Sequence, residues 1–230
     1  VLWWHWKHAG GEVYALKRKA ALSPYSYIMQ DIFVIDDFYP DPYRVREFAR
    51  NLDYSIKFPS PDWRADGIEN LWPGLVATEV LKENQLDVRI SKILNVPVRS
   101  GLKSGFFRLS KITDTYDAYA HTDGIPDKTN KKNYQGVVYL SPDTYCSNKI
   151  GTVFLKHIPT GMVKLKTAND YWRVLPDYTK PDQWEVYKHV ENKFNRLVIF
   201  DNTYFHGPGD LFGTSFEDAR LAQIFNFHEI

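Results

Sequence analysis

Along the chain, apolar positions fall first into one strand and two helical patterns, then into a series of short alternating blocks. Ile32, Phe33, Val34 and Ile35 form a short apolar run of strand type. Asp41-Pro42 then reads as a helix start, with Asp as N-cap and Pro at the first helical position. Val45, Phe48 and Ala49 follow at helical spacing, which predicts an amphipathic helix over 42–52. The stretch 54–74 carries FPSPDWRADG and LWPG and reads as loop. A second helical pattern is predicted over about 75–94, stopping before Asn95-Val96-Pro97.

From about residue 102 the texture changes to apolar segments separated by turn residues. Strands are predicted near 104–110, 117–121, 135–140, 151–157, 184–189, 196–201 and 219–227. Strands that short and that closely spaced suggest a sandwich, barrel or jelly roll. The expected class is mainly β with supporting N-terminal helices (α+β). The expected organisation is a single domain over 1–230: an arm and helices up to about 101, then a β core over 102–230. The 158–183 gap, which includes TANDYWRVLPDYTKPDQ over 167–183, is polar and aromatic, and long loops of that kind often serve function, for example as lids.

Composition narrows the function classes. With 29 Lys+Arg against 28 Asp+Glu, the net charge of +1 gives no global reason to expect nucleic acid as partner. Aromatic residues reach 16%, which favours a β-rich fold or a ring-lined pocket. Cys146 is the sole cysteine, so no intrachain disulfide can form, and no N-x-[ST] sequon occurs. Both absences fit a reducing, cytoplasmic setting. No apolar run nears the roughly 20 residues of a membrane helix. The opening VLWWHWKHAGG has no basic start followed by an apolar stretch, so it does not read as a secretory leader, and it starts at Val1, as a piece of a longer chain would. Its Trp3, Trp4, Trp6, His5 and His8, followed by Lys17-Arg18-Lys19, read as an arm packed on the body.

Three residues could converge on a metal. His121 and Asp123 stand two apart at a predicted strand end, so their side chains point the same way. His206 follows the apolar strand RLVIFD. Two histidines and one carboxylate make the facial triad of non-haem Fe(II) oxygenases, which leaves three coordination positions open. Arg220 opens the last apolar strand, where a buried guanidinium could clamp the distal carboxylate of a chelating keto acid such as 2-oxoglutarate. Read singly, each has a plainer role: a strand-end pair, a loop histidine before Gly207-Pro208-Gly209, an ion-pair partner for Glu217 or Asp218. His157, His189 and His228 read as surface or packing histidines. No G-x-S-x-G elbow, dinucleotide fingerprint, HExxH or cysteine cluster is present.

The order HTD, GTVF, His206, Arg220 resembles the Fe(II)/2-oxoglutarate-dependent dioxygenases over about residues 102–228. The segments VVYLS, GTVF and RLVIFDNTYFHGPG, with the opening IFVIDDFYPDP, look most like the prolyl-hydroxylase-like branch. The resemblance implies a double-stranded β-helix, or cupin-like jelly roll. It implies His121, Asp123 and His206 as iron ligands and catalytic centre, with Arg220 binding the cosubstrate. It further implies Fe(II), O2 and 2-oxoglutarate, whose oxidative decarboxylation would be coupled to hydroxylation of an amino acid, a peptide or a small natural product. A carboxylate at Asp123 leaves no vacant position for halide, so hydroxylation is expected over halogenation. The sequence departs from the pattern at Ala222, where many relatives carry a hydroxyl two positions after the arginine; Tyr139 and Thr152 are the hydroxyl candidates nearby. Arg108, Tyr116, Tyr171, Trp172 and Arg173 are candidate substrate contacts, with a structural contact the plainer reading for each. The alternative is a cupin-like metal- or ligand-binding module without turnover.

Overall fold

The computed structural model describes residues 31–56 and 72–230, apart from 103, 127 and 130, and the backbone of five short strands within the first thirty positions. The side chains of the Trp- and His-rich arm, and most of the 54–74 loop, lie outside the described residues. Four of the early strands, β1 Leu2–Trp3, β2 Trp6–Ala9, β3 Glu12–Ala15 and β4 Arg18–Lys19, pair as β1 with β4 and β2 with β3.

The remaining elements are β5 Tyr27–Met29, β6 Ile32–Ile35, α1 Pro42–Arg50, β7 Tyr54–Ile56, β8 Leu75–Val80, α2 Leu86–Leu94, β9 Val98–Ser100, β10 Phe106–Ser110 and β11 Asn133–Tyr139. There follow α3 Asp143–Cys146, β12 Ile150–His157, α4 Ala168–Val174, β13 Trp184–Glu191, β14 Arg196–Asp201, β15 His206–Pro208 and β16 Arg220–Glu229. A large antiparallel sheet runs β5-β6-β14-β11-β16-β10-β8-β7, with β9 added beside β16. A second, three-stranded antiparallel sheet runs β13-β12-β15. The architecture is thus mainly β with few helices, as the strand spacing predicts.

Strand alternation divides the large sheet into two faces. Val138, Leu197, Ile199, Leu221, Phe225 and Phe227 pack with Val45 and Ala49 of α1 and Leu86 and Ile90 of α2. Their neighbours Val137, Tyr139, Val198, Phe200, Ala222 and Ile224 face the opposite way and enclose Phe154 and Val190 of the three-stranded sheet. The helices therefore back one face, and the small sheet covers the other.

The α1 boundary follows its sequence signal. The Asp41 carboxylate accepts the Arg44 N–H at 3.1 Å, and Pro42 occupies the first turn. The second helical pattern needs correction: only Leu86–Leu94 is helix, whereas Leu75–Val80 is strand β8. An apolar run that short carries no decisive period. What decides it is Gly74 at φ +83, where a Cβ would sit 2.3 Å from the Leu109 carbonyl oxygen, so the chain enters β8 hard against β10.

Residues 117–121 also differ from expectation. They form no strand, and the segment holds a single bridge between His121 and His206. The N–H groups of Tyr119 and Ala120 donate instead to the Tyr178 carbonyl, at 2.8 and 3.1 Å. Tyr178 belongs to the 158–183 stretch, which contains α4 and two 3-10 turns, Leu175–Asp177 and Pro181–Gln183. Thr167 and Asp170 close a capping box on α4. Buried His157 pins both ends of the stretch, with Nδ1 2.9 Å from the Thr160 hydroxyl and Nε2 3.1 Å from the Asp177 carboxylate. Tyr171, Val174, Leu175 and Tyr178 pack with Ala118, Ala120 and Phe205. The stretch therefore buttresses the segments that carry His121 and His206.

Candidate active site

His121, Asp123 and His206 come together between the two sheets, their ligand atoms all within 4.8 Å of one another. Two elements bring them there. The backbone N–H and C=O groups of His121 and His206 exchange hydrogen bonds at 3.0 and 2.9 Å. Asp123 and Gly124 then donate their N–H groups to the Asn202 carbonyl, at 3.0 and 3.1 Å, which turns the chain at the end of β14.

Both histidines aim Nε2 at the carboxylate. His206 Nε2 lies 3.2 Å from Asp123 Oδ2, and His121 Nε2 lies 3.7 Å from Oδ1. His206 Nδ1 stands 3.0 Å from the Tyr204 carbonyl oxygen, which can only accept. Nδ1 therefore donates there and Nε2 is the atom turned to Asp123, the usual outer arrangement around a metal-binding histidine. Both imidazoles are buried, and the His206 ring stands edge-on to Phe200 with centroids 4.8 Å apart.

Trp72 is a member of this site that the spacing of the sequence does not reveal. Its indole N–H donates to His121 Nε2 at 2.8 Å. The contact joins residues 49 positions apart and rests on the turn at Pro73-Gly74 that delivers Trp72 over β10. Nothing local in LWPG distinguishes it from loop.

Arg220 faces the same interior from the start of β16. Its Nη2 donates to the Gly151 carbonyl at 2.7 Å, while its buried Nε has no hydrogen-bond partner among the described residues. The simple ion-pair role does not apply: Glu217 pairs with Arg50 at 2.9 Å, and Asp218 accepts the Thr214 and Ser215 N–H groups. Burial pulls the Arg220 guanidinium below its ordinary pKa, opposed by the nearby phenols of Tyr139 and Tyr116 and by Asp210. Among the described residues, the site thus holds a buried cation with no carboxylate in ion-pair contact.

The two hydroxyl candidates both face inward and bond each other, Tyr139 Oη to Thr152 Oγ1 at 2.7 Å. The Arg220 guanidinium carbon lies 6.0 Å from the Tyr139 ring centroid. Gly151 makes this packing possible, since a Cβ there would meet Tyr139 Cζ at 2.5 Å and its oxygen at 2.7 Å. Gly151→Ala is expected to displace Tyr139 from Thr152 and cost about 1–3 kcal/mol of stability. A thermal melt compared with wild type checks it; an unchanged melting temperature would mean the ring has room to move.

Of the residues expected at the substrate mouth, Arg108 is buried on the inner face of β10, and Tyr116 lies close enough to Arg220 to feel its charge. Tyr171 is instead a core residue of the buttress, and Trp172 and Arg173 are exposed on α4. Cys146 is buried on α3, with its thiol against the Ser141 carbonyl.

Residues 19–211 match the model of a family of unknown function, DUF6445. The chain belongs to the DUF6445 family. No curated protein matches it. Among solved structures, the DUF6445 chain is similar to SnoK, a non-heme alpha-ketoglutarate-dependent carbocyclase from nogalamycin biosynthesis. The TM-score is 0.50 with 10% identity, over 87% of this chain and 80% of that one. HygX from Streptomyces hygroscopicus, solved with nickel, 2-oxoglutarate and hygromycin B bound, aligns at TM-score 0.46 and 12% identity over 86% and 83% of the two chains. A prolyl hydroxylase from Trichoplax adhaerens, in complex with a hypoxia inducible factor peptide, aligns at TM-score 0.46 and 12% identity over 86% and 83%. The likeness to SnoK is one of fold, and at that level the resemblance to the Fe(II)/2-oxoglutarate-dependent oxygenases holds. Among the described residues no helix of this DUF6445 member is long and apolar enough to cross a membrane.

Proposed function

We propose that the chain is a non-haem iron oxygenase coupling oxidative decarboxylation of 2-oxoglutarate to hydroxylation of a small-molecule or peptidyl substrate. The observation that carries this reading is Arg220, a buried guanidinium with an unmatched Nε, set in the same interior as the His121–Asp123–His206 cluster. A lone metal-binding cluster has no use for a second buried cation. A chelating keto acid needs both, one for each end.

The residues fit the absent groups. Two imidazole nitrogens and one carboxylate oxygen suit Fe(II) and leave positions open. His121, Asp123 and His206 would hold the iron, which when bound supplies the redox chemistry with O2. Arg220 would hold the distal carboxylate and so orient the keto acid. Phe154, Phe200, Val137 and Ile224 wall the interior with apolar surface and keep bulk water out. In this reading the two facing sheets are a double-stranded β-helix, and the chain is one domain whose first hundred or so residues support it.

One observation favours the alternative, a cupin-like binding module. The indole N–H of Trp72 occupies the His121 Nε2 lone pair that a metal would need. Anaerobic titration with Fe(II) and 2-oxoglutarate separates the two. The expected result is a weak visible charge-transfer band, lost in Asp123→Ala and weakened in Arg220→Met. Metal binding without a band would sink the 2-oxoglutarate assignment and leave the binding module.

A further inference from the structure

The second cosubstrate partner, which Ala222 does not supply, is legible in the sheet register. Arg108 of β10 pairs with Ala222 of β16, and Ala222 pairs in turn with Tyr139 of β11. The three side chains form one rung across the inner face. Arg220 is the next inward-facing position of β16, diagonal to Arg108, a separation that long side chains span. Ala222, fully buried between them, brings no polar group to the rung.

We propose that Arg108 is the second arm of the anion clamp, closing on the distal carboxylate of the keto acid opposite Arg220. The inference rests on the keto-acid reading of the site. Arg108 is buried and held on the inner face by the Pro73 carbonyl, 3.3 Å from Nη1, and by the Trp72 ring, whose centroid lies 5.4 Å from its guanidinium carbon. Burial and the charge of Arg220 both disfavour its ionised form, and Asp123 favours it; the balance brings it to about 10. The two guanidinium groups therefore share one low-dielectric space. A carboxylate between them offsets the desolvation of both, and charge-assisted hydrogen bonds of that kind are among the strongest a site can offer.

The test measures binding rather than turnover. Calorimetry under anaerobic conditions compares 2-oxoglutarate with 2-oxobutyrate, which has the same chelating end and no distal carboxylate, on the Fe(II)-loaded protein. Arg108→Met is expected to weaken 2-oxoglutarate roughly tenfold or more and to leave 2-oxobutyrate within about twofold. Arg108→Lys, which keeps the charge and loses the planar fork, should fall between, and serves if the Met variant does not fold. Adding Ala222→Ser to Arg108→Met should recover part of the loss. Unchanged 2-oxoglutarate affinity in both Arg108 variants would overturn the proposal. Equal weakening of both keto acids would also overturn it, since Arg108 would then be supporting the metal site. If the metal-loaded wild type binds neither keto acid, the proposed function itself fails, a result visible before any variant is made.

Discussion

His206→Ala is expected to lower metal affinity by more than about 100-fold while the protein stays folded. Loss of a residue that merely orients a metal ligand typically costs 10–100-fold, and loss of a ligand should cost more. The fold should survive because the bridge between His121 and His206 is made by backbone atoms, which alanine retains. What disappears is the imidazole whose Nε2 faces Asp123 at 3.2 Å, together with its packing on Phe200. Calorimetric titration with Mn(II) or Co(II), paired with a thermal melt, reads both quantities. Wild-type affinity in the variant would remove His206 from the centre and leave His121 and Asp123 as an ordinary strand-end pair.

Asp36→Asn is expected to destabilise the fold by about 3 kcal/mol, near the lower end for breaking a buried ion pair by removing one partner. For a chain of this size that corresponds to a fall of about 6–12 °C in melting temperature. Asp36 is buried just beyond β6, and its carboxylate accepts from Arg196 Nε at 2.6 Å and from Lys193 Nζ at 2.8 Å. Arg196 is itself buried and opens β14, the strand that pairs with β6 and leads to the candidate metal site. Burial alone would raise the Asp36 pKa, but the hydrogen bonds and charges of Arg196 and Lys193 outweigh it and hold it below the ordinary carboxylate value. A depressed folded-state pKa fixes the sign. The contribution is complete above the unfolded carboxylate pKa, near 4, and is lost as pH falls through the lower folded value. Wild type and Asp36→Asn should therefore differ most near neutral pH and converge in strong acid. A constant difference across that range would mean the carboxylate charge is not what holds Arg196.

How far the sequence reaches depends on the range of each interaction. The α1 cap, the β6 run and most of the late strands are local signals, written within a few residues by capping chemistry and side-chain period. The short strand β15 and the strand β8 escaped because neither has a period of its own. His121, Asp123, His206 and Arg220 stood out because their residue types and order are unusual together, and the fold brings them into one interior. Trp72, by contrast, reaches His121 across 49 positions through a turn that the sequence shows only as Trp-Pro-Gly.

The 158–183 stretch shows the same division. Its capping box at Thr167 and Asp170 is readable in the chain, but its role is not. A polar, aromatic segment of that length reads as loop or lid. Only tertiary packing of Tyr178 against residues 118–122 makes it a buttress.

The sequence by itself determined the mainly β class, the first helix with its cap, and which side chains could serve a metal and a keto acid. Tertiary structure alone decided which of them share a space. Period-2 alternation names two faces for every strand but does not say which is inside. For Tyr139, Arg108 and Arg220 that was settled only by antiparallel register between strands some 80 to 115 residues apart and by the small sheet laid over one face.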